Sequence, residues 1–165
     1  MITKKVEELT LEGFSVFGRF ARFIDPTTPH IGKKPVEFFR DMLQLDLGAT
    51  TKASFSVCRV EKRPEIIDSL EYHNTSAEMC MPLDADVLLY VAPSGTPDGL
   101  CTEDIRVFRV PALTMAVINI GVWHQGVFVD RADHANVLIA LPERLYVNDC
   151  IVRQLSEKEK VAITR

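Results

Sequence analysis

Two stretches hold the residues of this chain that could do chemistry. The first is "EYHNTSAEMCMPLD", residues 71–84, where His73 stands two residues after Glu71 and five before Glu78. The second is "NIGVWHQG", residues 119–126, with His124 next to Trp123, the sole tryptophan. Neutral imidazole nitrogens and carboxylate oxygens are donors that a divalent transition metal accepts. The same groups serve as general acid and base near neutral pH without any metal. Spacing alone leaves both chemistries open. A single histidine in a half-buried strand is more often a structural hydrogen-bonding residue. What singles out this set is a His–Glu stretch followed, about fifty residues later, by a second histidine beside turn residues. His30 and His134 lie in loop-like segments and are expected to be solvated.

These residues need strands to position them. "ASFSVCRVE", "EMCMPL", "DVLLYVA", "IRVFRV", "TMAVINI", "GVFVD" and "NVLIALP" are short, apolar and rich in Val, Ile and Phe. Such runs read as strands, and "APSGTPDG" and "DRADH" as the turns between them. Closely spaced strands predict an all-β chain, an antiparallel barrel or a double-sheet jelly roll. Alternation places Glu71 and His73 on one face of a strand. A turn at Asn74–Ser76 would make a hairpin that turns Glu78 towards the same side. Gly121 and Gly126 permit sharp bends around His124. Short helical segments are expected at the two ends. Thr10 caps "LEGF", and Ser156 stands three residues before Glu159, the spacing of a capping box.

The chain has 165 residues, 47% of them apolar and 25% charged, with a formal net charge of −4. That suits a single domain spanning residues 1–165 with a sizeable core. The mild acidity gives no reason to expect a nucleic-acid partner. No apolar run is long enough to span a bilayer, so no membrane partner is expected. "MITKKVEELT" reaches charged residues without an apolar stretch and does not read as a secretory signal. Cys58, Cys80, Cys101 and Cys150 form no C-x-x-C pair. They read as free, mostly buried thiols in a reducing cytoplasm. Cys80 is the one candidate for a catalytic thiol.

The motifs, in their order along the chain, resemble the ureidoglycolate lyase family, a branch of the cupins. "LTLEGFSVFG" at 9–18 is similar to that family's opening segment. "SVCRVEKRP" at 56–64 resembles its arginine-bearing strand, "LEYHNTSAEMCMPLDADVLLYVAP" at 70–93 its central segment, and "GVWHQG" at 121–126 its Val-Trp-His motif. "VNDC" at 147–150 fits its closing strand. The sequence departs from the pattern at Glu78, where the family has Gln, at Asn119, where it has His, and at Gln125-Gly126, where it has His-Pro.

The resemblance implies a cupin-type double-stranded β-helix, a jelly-roll barrel, assembled as a homodimer. It implies a lyase that splits ureidoglycolate into glyoxylate and urea, in allantoin degradation within purine catabolism, or a close relative acting on another small carboxylate. Glu71, His73 and His124 are then the expected catalytic residues, with Arg59 and Trp123 on the substrate. Glu78 restores the general cupin ligand pattern, so His73, Glu78 and His124 are expected to hold a divalent transition metal. The rival arrangement pairs Glu78 with Arg59 and has no metal. A cupin that binds a small molecule or a metal without catalysis is the alternative function. The row Phe14, Phe17, Phe20 and Phe23, at helix-like spacing, either covers a dimer contact or packs on its own barrel.

Overall fold

The computed structural model describes residues 1–23 and 28–165. Among the described residues the chain is mostly β. One sheet has five strands in the order β2-β11-β8-β14-β5. These are β2 (Gly18–Arg22), β5 (Ala53–Glu61), β8 (Glu78–Pro82), β11 (Thr114–Ile118) and β14 (His134–Pro142). A second sheet has nine strands, in the order β15-β7-β12-β9-β10-β1-β16-β6, with β13 also on β9. It contains β1 (Ile2–Glu8), β6 (Ile66–Ile67), β7 (Ser69–Tyr72), β9 (Val87–Ala92) and β10 (Arg106–Val110). It is completed by β12 (Trp123–His124), β13 (Phe128–Val129), β15 (Ile151–Gln154) and β16 (Val161–Thr164). A separate exposed hairpin pairs β3 (His30–Lys33) with β4 (Val36–Phe39).

All seven segments read as strands from their composition carry strands. The core lies between the two sheets. Val87, Leu89 and Val91 of β9 face it, together with Phe108 and Val110 of β10 and Val60, Cys80, Ala116, Ile118 and Val137 from the five-stranded sheet. The alternate residues of β9, Leu88, Tyr90 and Ala92, enter a second core with Trp123, Ile67, Val161 and Ile163. Hence β9 is an unbroken apolar run rather than an alternating one. Asp68 alone separates β6 from β7, yet these strands lie near opposite ends of the sheet. The nine-stranded sheet therefore curls, and the second core fills the curl.

Among the described residues two α-helices are present, α1 (Leu11–Phe14) and α2 (Leu145–Asn148). The Thr10 hydroxyl accepts the Gly13 amide at 3.1 Å and caps α1 as its sequence predicts. The phenylalanine row does not continue as helix. A Cβ at Gly18 would fall 1.9 Å from the Val117 carbonyl oxygen, so the close strand contact there requires glycine. Phe14 and Phe17 are buried against Phe108, and Phe20 packs on the same core. The Ser156–Glu159 box forms, with the Ser156 amide and hydroxyl donating to the Glu159 carboxylate at 2.9 and 2.7 Å. It closes a single turn instead of the expected terminal helix. The following residues, Val161–Thr164, lie parallel to β1, a pairing that suits their β-branched side chains. None of the described helices is long and apolar enough to cross a membrane.

Candidate metal centre

His73 and Glu78 do not sit on a hairpin. β7 belongs to the nine-stranded sheet and β8 to the five-stranded one, so residues 73–77 cross between the sheets. The expected convergence is nonetheless present, because the crossing is held from several sides. The Gly121 amide donates to the His73 carbonyl at 2.8 Å, and the Ala77 amide to the Asp46 carbonyl at 2.9 Å. Gly48, at a φ of +64°, approaches so closely that a Cβ would lie 2.2 Å from the Thr75 carbonyl oxygen. The Asp149 carboxylate accepts from the Asn74 amide and side chain at 3.0 and 3.2 Å. It also accepts from the Thr75 amide and hydroxyl at 2.8 and 2.6 Å.

Three elements then aim their side chains at one point. His124 on β12 is the register partner of Glu71 on β7. Directly opposite residues project to one face. Their neighbours Leu70, Tyr72 and Trp123 fill the second core, so Glu71 and His124 project the other way, between the sheets. His73 joins them, with ligand atoms of all three within 4.8 Å of one another. Glu78 approaches the two histidines from the opposite sheet. Its Oε2 lies 3.2 Å from Nε2 of His73 and 3.7 Å from Nε2 of His124. The side chains of both histidines are 4% exposed and that of Glu78 13%, so water screens these contacts little.

The hydrogen bonds assign the tautomers. Nδ1 of His73 lies 2.7 Å from the Asp149 carbonyl oxygen, and Nδ1 of His124 lies 2.8 Å from that of Val122. A carbonyl oxygen only accepts, so each Nδ1 carries a proton and donates. In the neutral imidazoles both Nε2 lone pairs then face the Glu78 carboxylate, and like partners need a positive centre between them. Nε2 of His124 is buried and has no hydrogen-bond partner. One positive centre is a proton. Burial pushes the Glu78 carboxyl up, but the interactions with His124 and His73 outweigh it and hold it at about 2. Burial acts most strongly to lower the His124 value, yet the adjoining Glu78 carboxylate leaves it raised. The other is a metal ion. Ligand bonds of about 2.0–2.2 Å place neighbouring donor atoms roughly 3–3.5 Å apart. Glu71, His73 and His124 make a donor group that such an ion fits. Glu78 lies 3.2 Å from one of its imidazoles, and carbonyl-anchored imidazoles are the usual way proteins orient histidine ligands.

Other expected residues fall elsewhere. Arg59 is exposed on β5. Val60 next to it is in the core, so alternation puts Arg59 on the outer face. The described ion pairs of Glu78 are with His73 and His124, and Arg59 makes none with it. Trp123 is fully buried in the second core, 4.5 Å from the Tyr72 ring. Its side chain faces away from His124. Cys80 is no nucleophile, since burial first and the Glu78 charge second push its thiol up to about 12. Cys58 and Cys101 are exposed, which corrects the expectation of mostly buried thiols. They lie on an edge strand and in a loop. His30 and His134 are exposed as expected, although each begins a strand.

Residues 149 and 150 carry a role that the strand reading of "VNDC" did not suggest. Beyond Asp149, the Cys150 thiol donates to Oε2 of Glu71 at 2.8 Å. Pairing of β15 with β7 brings both residues there. The signal for them was the clustering of polar residues just before a strand.

The ureidoglycolate lyase family model matches residues 1–162. No curated protein matches the chain. Among solved structures, a dTDP sugar isomerase from Desulfovibrio desulfuricans is 13% identical, with a TM-score of 0.50 over 86% of this chain and 87% of its own. Bacillus subtilis oxalate decarboxylase is 16% identical, with a TM-score of 0.44 over 62% of this chain. This chain spans 24% of that protein's length. RmlC from Streptococcus suis, solved with dTDP-D-xylose, is 15% identical, with a TM-score of 0.37 over 68% of this chain and 59% of its own. The fold is that of the cupins, and with nearly its whole length matched the chain belongs to the ureidoglycolate lyase family.

Proposed function

We propose that the chain is a metal-dependent C–N lyase of the ureidoglycolate lyase type, acting on ureidoglycolate or a closely related small 2-hydroxy carboxylate. The observation that carries this is the convergence of Glu78 Oε2 with Nε2 of His73 and of His124. His73, His124 and Glu78 would hold a divalent transition metal, with Glu71 beside them. When bound, the ion polarises a substrate hydroxyl and offsets carboxylate charge.

The remaining chemistry falls to the chain itself. Splitting ureidoglycolate into glyoxylate and urea moves one proton from the hydroxyl oxygen to the departing nitrogen. One carboxylate suffices for that transfer. Glu71 takes the hydroxyl proton as the carbonyl forms and the C–N bond breaks, then returns it to the nitrogen. The Cys150 thiol holds Glu71 in place. Burial excludes bulk water and strengthens each interaction with the developing charge.

A homodimer suits the outer face of β5, an edge strand with Phe55 69% and Val57 62% exposed. Free cysteines suit a reducing cytoplasm. A second reading is a cupin that binds a small molecule or a metal without turnover. It is favoured by the cavity beside Glu78, whose described lining is mostly apolar and holds no lysine or arginine. Urea release from ureidoglycolate by metal-loaded protein decides between them. Turnover that is lost on chelation supports the lyase. Bound metal without turnover supports the second reading.

A further inference from the structure

Glu78 forms the inner end of a cavity between the two sheets. The cavity has a volume of about 30 Å³ and is walled by Leu89, Ile118, Val127, Val137 and Ile139. Cys58, which is exposed, and the bend at Gln125-Gly126 border its open end. A cavity of that volume is large enough to hold a water-sized group. It admits one or two small groups. The bend itself arises because three residues, 125–127, stand opposite two on β9 between the His124↔Val91 and Phe128↔Leu88 pairs. This is a β-bulge, and it turns Val127 into the cavity.

We propose that this cavity receives a short aliphatic group of the substrate. The substrate class is then the 2-hydroxy carboxylates that carry, beside the departing nitrogen, a methyl or ethyl group on the carbon that bears the hydroxyl. The proposal rests on reading the His73–His124–Glu78 cluster as the site that holds the carboxylate and hydroxyl. Two physical points support it. Among the side chains lining this cavity an amide or ureido group would find Glu78 and Gln125 and otherwise only weakly polar thiols, so part of its donors and acceptors would go unmet at a cost. A methyl group gains from the same walls what it loses in water.

Cys58 reports occupancy directly. The wild-type protein is treated with N-ethylmaleimide beside glycolate, lactate or 2-hydroxybutyrate, and the rates at Cys58 and Cys101 are read by peptide mass spectrometry. Cys101 is exposed, away from the cavity, and serves as the internal reference. Lactate is expected to protect Cys58 at about a 4-fold lower concentration than glycolate, from roughly 0.8 kcal/mol per buried methyl or methylene. 2-Hydroxybutyrate protects at lower concentration still, and Cys101 stays unprotected throughout. Val137→Thr keeps the side-chain size but adds a hydroxyl. It is expected to erase the lactate advantage and leave glycolate unchanged. Ile139→Val, a milder change, shifts the optimum towards the longer acid. Equal protection by all three acids overturns the proposal, as does no protection at all or protection at both cysteines. Repeating the series with excess Mn²⁺ and with EDTA separates the two ideas. The difference between acids tests the cavity, and the dependence of glycolate protection on metal tests the centre.

Discussion

Nε2 of His73 lies 3.2 Å from Oε2 of Glu78, although the two residues precede and follow a crossing from one sheet to the other. A buried carboxylate facing an imidazole lone pair is costly unless a proton or a metal ion joins them. Metal content and the pH dependence of stability tell which one does so.

The wild-type protein is expected to bind one first-row divalent metal. His124→Ala removes a donor and should lower affinity by at least about 100-fold, beyond the 10–100-fold typical of losing an outer partner. Glu78→Gln, which keeps an oxygen but loses the charge, should fall between the two. Metal content after dialysis and a competition titration measure this. A wild-type protein that stays metal-free in excess metal defeats the proposal.

Without metal, the Glu78 pair makes stability depend on pH on both sides. The folded value for Glu78, about 2, is below its ordinary 4.5. Its contribution is therefore present above about 4.5 and lost as pH falls towards 2. The value for His124 is raised above its ordinary 6.5, so its contribution is present below 6.5 and lost as pH rises through the folded value. Urea denaturation of the metal-free protein should thus show the largest gap between wild type and Glu78→Gln from about pH 4.5 to 6.5. A gap that is constant from pH 3 to 9 would contradict the pairing. Metal competes with the His124 proton, so metal affinity should rise with pH.

Asp149 spans the crossing with four hydrogen bonds to Asn74 and Thr75. Asp149→Ala should weaken metal binding by about 10-fold or more by loosening His73. Its far-UV circular dichroism should match wild type. Unchanged affinity would show that the other ties, from Gly121 and Asp46, hold His73 unaided.

The thiols should react in an order set by burial. N-ethylmaleimide is expected to modify Cys58 and Cys101 in the folded protein. Cys80, buried and pushed up to about 12, should react only on unfolding. Labelling of Cys80 at the rate of Cys58 would mean that the core around Glu78 opens.

Light scattering at micromolar concentration should give a dimer mass. Val57→Glu, on the exposed face of β5, should shift it to monomer while metal binding persists. A monomeric wild type would remove the dimer from the proposal.

The sequence by itself determined the seven apolar strands, but not the shorter or more polar ones such as Ile2–Glu8 and Val161–Thr164. Short Val-, Ile- and Phe-rich runs between turn residues leave few other conformations, and all seven runs are strands in the fold. It also singled out Glu71, His73, Glu78 and His124, because ionisable groups among apolar strands stand out by type. It could not decide which strands pair. Residues 71–78 look like a hairpin because Asn74–Ser76 suit a turn, but pairing energy comes from partners far along the chain. For β7 these are β12 and β15, and for β8 they are β11 and β14. Nor could it say which way Arg59 and Trp123 project. Trp123 sits on a sheet with apolar cover on both faces, so its position beside His124 carried no information about its face. Asp149 and Cys150 act through contacts more than seventy residues away in sequence, with Asn74 and Glu71, and only the closed fold brings those residues within hydrogen-bond reach.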